Sequence, residues 1–426
     1  MRDARRRTLE LLEGLDDQQL LGPKLPIVNP MLWEVGHVAW FHEHFILQRA
    51  YGADPISERA QANYDSAVVA HDRRWDLDLF SRQETLDYMS LVHDRLINRL
   101  TGPMADFTDS YLYQFTTFHE DMHDEAFVWS RHTLEYPVPS FATAIDPGPP
   151  IDARAGSLVG DVDVPGGQFL LGAPGNAPFV FDNEKWSHPV EIAPFRIARA
   201  PVTNAQFAEF VDAEGYKRKE FWGEPGWAWR SENDIEQPVY WQRDGAGGWT
   251  MRSFDQWQSL PPDQPVIHVN WYEANAYCRW AGRRLPTEKE WETAALGIPN
   301  NAGNMLADAK RRFPWGDEPP GENRCNLDGR SLGCVDVAAL PDADSAFGCR
   351  QMLGNVWEWC ADTFSPYPGF SADAYKEYSQ TLFGHTKVLR GGAWTTRSRM
   401  VSGLHRNFFG PERRDVLAGF RTCALT

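Results

Sequence analysis

A chain of 426 residues and 48.5 kDa, 42% of them apolar, exceeds one typical hydrophobic core and sets an expectation of two domains. Its formal charge of -17 argues against nucleic acid or an anionic membrane surface as partner, because both select clustered Lys and Arg. Six cysteines, all in the second half and none in a C-x-x-C spacing, fit free thiols in a reducing cytoplasm better than a disulfide framework.

The N-terminus runs straight into an amphipathic segment, with no apolar stretch of signal or membrane length behind it. Leu9, Leu12, Leu15 and Leu20 predict a first short helix. After a proline-rich link, Asn29 as N-cap, Pro30 as first helical residue and Gly52 as stop frame a second helix. On it Trp33, His37, Trp40, Phe41 and His44 recur at helical spacing, which turns His37 inward among aromatics, whereas His42 lies off the stripe and is expected in solvent. Residues 61–80 read as a long ordered loop, whose adjacent Arg73 and Arg74 are candidates to clamp a carboxylate or phosphate. Ser81-x-x-Glu84 is a capping box opening a third helix, with Leu86, Met89, His93, Leu96 and Leu100 on one face and Gly102-Pro103 as its end. His93 thereby competes with His37 as an inward imidazole.

A fourth helix over residues 112–130 carries His119-Glu120-Asp121-Met122-His123-Asp124-Glu125. Histidines four residues apart stand on one helix face and can reach a single metal ion. Two readings follow. HExxH is the zinc-peptidase helix, with Glu120 as general base. The alternative is His-x-x-x-His completed by a distant third histidine, which suits a redox iron. Four such helices make an antiparallel bundle, and bundle metal sites are built from side chains facing one another across the core.

Residues 136–160, rich in Pro, Gly and Ala, mark the boundary, giving domains 1–140 and 161–426 around a linker over 141–160. Beyond it, β-like runs at 162–171, 195–198 and 388–389 alternate with helices at about 204–212 and 271–280 and with long Gly/Pro/Trp loops, an α+β texture dominated by irregular structure. Many of the 18 tryptophans cluster between Trp222 and Trp257, an aromatic surface for loop packing or substrate.

Five ordered runs, at residues 200–207, 284–292, 354–359, 389–394 and 419–421, resemble the formylglycine-generating-enzyme domain, which is related to C-type lectins. Trp33-Glu34-Val35-Gly36-His37 with His119-x-x-x-His123-x-Glu125 resembles the metal motif of DinB-type bundles. The pairing resembles the ergothioneine-synthase (sulfoxide synthase) family, and most of all its selenoneine-synthase branch. That resemblance implies Fe(II) on His37, His119 and His123, O2 as cosubstrate, and oxidative C–Se or C–S bond formation at imidazole C2 of hercynine in a site between the domains. It further implies Asn407 and Phe408 at the trimethylammonium group, and Tyr375 as proton donor to oxygen, with Tyr378 as its confounder. Trp394, in the 389–394 run, joins the candidate substrate contacts. Met122 stands where several members carry a glutamine, and Phe409 where the γ-glutamylcysteine-using branch has an aspartate. Both departures tilt the donor toward a selenosugar, with cysteine or γ-glutamylcysteine as the alternative. Glu120, Asp124 and Glu125 are the carboxylates expected behind the imidazoles. Asn355 and Glu358 are candidates for a structural Ca2+. The rivals are a formylglycine-generating oxidase, disfavoured because residues 403–421 hold no cysteine pair, a zinc hydrolase, and a sugar-binding module.

Overall fold

The computed structural model describes residues 1–100, 107–142 and 154–425, which divide into two compact units, Met1–Phe141 and Ala142–Thr426. Gly102-Pro103 and residues 143–153 of the linker lie outside the described residues.

In the first unit the leucine stripe forms two helices rather than one, α1 (Arg2–Leu12) and α2 (Asp17–Leu21). The break has a local cause: Gly14 takes φ +76°, and Asp16 opens α2 with a capping box to Gln19. Leu12, Leu15 and Leu20 are buried as the stripe requires, but Leu9 is exposed. The predicted second helix is α3 (Met31–His42), which continues as a π-helix over Glu43–Ala50 and stops before Gly52 at φ +68°. Its N-cap is Pro30, not Asn29. The Asn29 side chain is engaged elsewhere, accepting from Arg74 Nη1 at 2.6 Å.

Residues 61–80 are not all loop: α4 (Glu58–Asn63), capped by Ser57, reaches into them, and a 3-10 turn covers His71–Arg73. The Ser81 box forms as read, with Ser81 N donating to Glu84 Oε2 at 2.8 Å, and opens α5 (Arg82–Leu100). The buried face of α5 is Thr85, Tyr88, Met89, Val92 and Leu96, a stripe displaced from the expected one, which leaves Leu100 exposed. α6 (Phe107–Thr133) carries the histidine motif. α3 packs against α5 and α6, and α1 against α6, so the four long helices form the expected bundle. Leu11, Val38, Val92, Leu96, Phe127 and Val128 are wholly buried in it, each contributing about 1.5–3 kcal/mol of transfer free energy.

The second unit is a set of small sheets tied by loops. One four-stranded sheet runs Asp161–Val164, Phe195–Ala198, Cys423–Ala424, Arg283–Arg284, and another runs Asn407–Phe409, Lys387–Arg390, Trp357–Thr363, Ala418–Gly419. The 162–171 run breaks into two strands at Pro165-Gly166, and the second begins at Gly167, where φ is +146°. Helices Asn204–Asp212 and Trp271–Trp280 have the expected bounds because Thr203 and Asn270 close capping boxes with Gln206 and Glu273. Two further helices, Glu224–Glu232 in the tryptophan-rich region and Glu288–Leu296, were not anticipated. The core holds Trp291, Trp357 and Trp359 together with buried guanidinium–carboxylate pairs: Arg421 with Glu358, and Arg390 with Glu288 and Glu292.

Candidate metal centre

Within the bundle, α3 supplies His37, and successive turns of α6 supply His119 and His123. Their ligand atoms all lie within 4.8 Å of one another, the group with metal-holding geometry among the described residues. His93 is not among them; it sits half-buried on α5.

Each ring is held from behind. His37 Nδ1 lies 2.7 Å from the Tyr64 carbonyl, which can only accept, so Nδ1 carries the proton and Nε2 presents its lone pair. The same logic applies to His123, whose Nδ1 is 2.7 Å from Glu34 Oε1. His119 is covered by Phe41, stacked at 3.5 Å between centroids and 5° between planes. Trp33 stacks on His37 at 5.0 Å, donates Nε1 to the Asn63 carbonyl, and is covered on its own face by the Arg74 guanidinium at 3.8 Å. Gly36 is required by this assembly: a Cβ there would stand 2.3 Å from the Tyr64 ring.

Burial, then the neighbouring His123, pushes both His37 and His119 well below the ordinary histidine value, so both are neutral near pH 7, the ligating form. His119 Nε2 and His123 Nε2 approach to 3.2 Å. Two ligands at right angles on an ion, with metal–nitrogen bonds of about 2.1 Å, stand about 3 Å apart, so the donor set fits a first-row metal dication.

Glu120, by contrast, faces away from these rings. Its Oε1 accepts from Arg5 Nε at 2.8 Å and Thr8 Oγ1 at 3.0 Å, and its Oε2 pairs with His42 Nε2 at 2.9 Å. Burial alone would raise its pKa, but Arg5 and His42 outweigh that and hold it well below the carboxylate range. A peptidase base must face the metal-bound water, and Glu120 does not. Asp124 likewise turns to Thr8, at 2.7 Å, and Glu125 is buried one residue on. The carboxylate that holds an imidazole is Glu34, which the sequence reading did not single out. His42, expected in solvent, is fully buried against Glu120.

The whole chain has a consistent set of likenesses. Residues 150–425 match the sulfatase-modifying factor enzyme 1-like domain, and residues 1–127 match the DinB superfamily. A hercynine oxygenase of Mycolicibacterium thermoresistibile is 36% identical, covering 98% of this chain and 92% of the relative, and one of Mycolicibacterium smegmatis is 36% identical over 98% and 96%. The chain belongs to the hercynine oxygenase family, the ergothioneine-type sulfoxide synthases. A formylglycine-generating enzyme of Streptomyces coelicolor is 36% identical over 60% of this chain, so the likeness to that group is partial.

The remaining candidates of this hercynine oxygenase family member are distributed as follows. Met122, half-buried, directly precedes His123 on α6. Arg73 is largely exposed beside Asp76, while Arg74 contacts Trp33, Asn29 and the Val69 carbonyl, so the two guanidiniums have different surroundings. In the second unit, Asn407–Phe409 is an edge strand paired with Lys387–Arg390. Asn407 Oδ1 accepts from Phe408 N, Phe408 stacks on Phe364 at 4.2 Å and touches Tyr378 at 5.5 Å, and Phe409 lies under Arg413. Tyr375 is half-buried and opens the 3-10 turn Lys376–Tyr378, whereas burial, Glu184 and Asp182 push the Tyr378 phenol well above its ordinary value. Trp394 is buried in the loop beside Asn355.

The Ca2+ candidates are occupied by protein groups. Both ends of the Asn355 amide are bonded, to Asn326, Val335 and Gln351, and the Glu358 carboxylate is taken by Arg421 and Trp291.

Proposed function

We propose that the chain is a non-haem Fe(II)- and O2-dependent oxidoreductase that joins a selenosugar-derived selenium to C2 of hercynine, on the way to selenoneine. The observation that carries the metal half of this reading is the convergence of three imidazoles, two of them fixed as Nδ1–H tautomers, with Glu120 turned away. His37, His119 and His123 would hold Fe(II), which would supply redox chemistry toward O2 and a chalcogen donor. The chain's own residues do the rest. Tyr64 and Glu34 orient two rings, Phe41 and Trp33 shield the imidazoles from water, Asn407 and Phe408 receive the trimethylammonium end, and Tyr375 holds a proton at its hydroxyl for transfer to oxygen.

Support for hercynine comes from the two full-length relatives that bear its name. Selenium rests on Met122 and Phe409, which remove a donor amide and a carboxylate suited to an amino-acid thiol. A second reading, which the family resemblance carries, is the sulfur reaction with cysteine or γ-glutamylcysteine. A cytoplasmic setting goes with either reading and is supported by six free cysteines. Among the described residues no helix is long and apolar enough to cross a membrane.

The test is direct. Protein loaded anaerobically with Fe(II) receives O2, hercynine and one donor at a time, and products are read by mass spectrometry. A selenium-bearing hercynine product formed faster than any sulfur product supports the proposal; faster turnover of either thiol moves the assignment to the sulfur reading. No hercynine-derived product with any donor refutes both. Tyr375→Phe should slow product formation more than Tyr378→Phe, and the reverse order would reassign the proton donor.

A further inference from the structure

Glu34 stands in the second position after Leu32 on a stretch of α3 where nearly every side chain is buried, and it is itself only 2% exposed. A carboxylate in such a place is retained only with compensation, because an unpaired buried charge is costly. Its Oε1 accepts from His123 Nδ1 at 2.7 Å. Oε2 is buried without a hydrogen-bond partner among the described residues, and the ion pairs there give Glu34 no Lys or Arg. The contrast is Glu120, equally buried, whose charge is met by Arg5. Compensation for Glu34 therefore has to come through the His123 ring, from its far nitrogen, where His119 and His37 also converge.

We infer that Glu34 is a positioning residue for the metal: it fixes the His123 ring with Nε2 toward the ion, and its negative charge is balanced by the bound dication across that ring. The inference rests on the three histidines being a metal site, and it assigns this role to none of the acidic residues within the histidine motif. Neutral ligands alone leave the dication's charge unmet, and Glu34 is a buried anion in direct contact with one of them, His123. Its loss should weaken metal binding while relieving the empty protein of a poorly compensated charge. A carboxylate that merely braced two helices would do neither.

Co(II) serves as a probe whose ligand-field spectrum reports the donor set. Wild type, Glu34→Gln, Glu34→Asp and Glu120→Gln are titrated with Co(II) against a chromophoric chelator, and each is melted with and without the metal. The expected result is Co(II) affinity about 10–100-fold weaker in E34Q with an altered spectrum, the range typical of residues behind a ligand. E34D should be less affected, because it keeps the charge. Metal-free E34Q should be at least as stable as wild type, whereas E120Q should lose stability with and without metal. Unchanged affinity and spectrum in E34Q overturn the inference while leaving the metal site standing, and so does a metal-free E34Q that is unstable or unfolded. Failure of wild type to bind Co(II) overturns the metal reading itself, and this inference with it.

Discussion

Replacing Glu120 by Gln separates the present view of the bundle from the peptidase reading of the same motif. The amide keeps the shape and can still meet Thr8 and His42, but it removes the charge opposite Arg5, whose Nη1 retains only the Met89 carbonyl. Removing one partner of a buried ion pair costs about 3–5 kcal/mol, and the retained hydrogen bonds argue for the lower end. A unit of this size loses roughly 2–4 °C per kcal/mol, so its thermal midpoint should fall by roughly 10 °C. Far-UV circular dichroism and urea titration measure both quantities. Combining it with Arg5→Met, which takes away the other buried charge, should recover part of the loss. A variant within about 0.5 kcal/mol of wild type would refute the argument, since surface carboxylates behave that way. A zinc-peptidase base would instead tolerate the change in stability and lose hydrolysis.

Other outcomes follow from the same geometry. His37→Ala should abolish Co(II) binding in the chelator competition, and His93→Ala should leave it intact; the opposite pattern would reassign the third imidazole. Gly36→Ala places a methyl against the Tyr64 ring and should cost about 1–3 kcal/mol by overpacking, measured in urea, with weaker metal binding because the Tyr64 carbonyl moves with its ring. In the second unit, burial pushes the Glu184 carboxyl up to about 7, while burial and Arg390 hold the adjacent His405 down to about 3. A carboxyl raised in the fold stabilises the protonated state, so its contribution is present at acid pH and lost as pH rises through about 7. Glu184→Gln should flatten stability between about pH 4.3 and 7 and exceed wild type above it; parallel curves for the two proteins would refute the assignment.

The bundle, its histidine spacing and the Ser81 cap were legible because they rest on local rules; Thr203 and Asn270 close boxes of the same kind, each with a residue three positions on, behind helices read from their apolar pattern alone. Asn29 failed as a cap because a distant arginine uses its side chain, which no local rule sees. His42 was misplaced for a related reason. Apolar periodicity sorts helix faces by hydrophobicity, yet this face is buried by charge, against Glu120 and Arg5 from two other helices. Glu34 was discoverable in principle. A lone carboxylate between Leu32, Trp33 and Val35 demands a partner, although sequence does not say that the partner is His123 rather than a lysine. Adjacency in sequence likewise does not show that Arg74 lies over the Trp33 ring while Arg73 points to solvent beside Asp76.

The contact between Gly36 and Tyr64 also constrains how the chain can vary over evolutionary time. Since the ring of residue 64 occupies the volume of a side chain at residue 36, and the backbone of residue 64 secures His37, neither position is free to drift alone. Substitutions that add bulk at 36 should survive only where 64 has lost its ring. The pair would then covary as a unit although neither side chain is in the metal-holding group, and it would record in sequence a spatial contact that serves the metal at one remove.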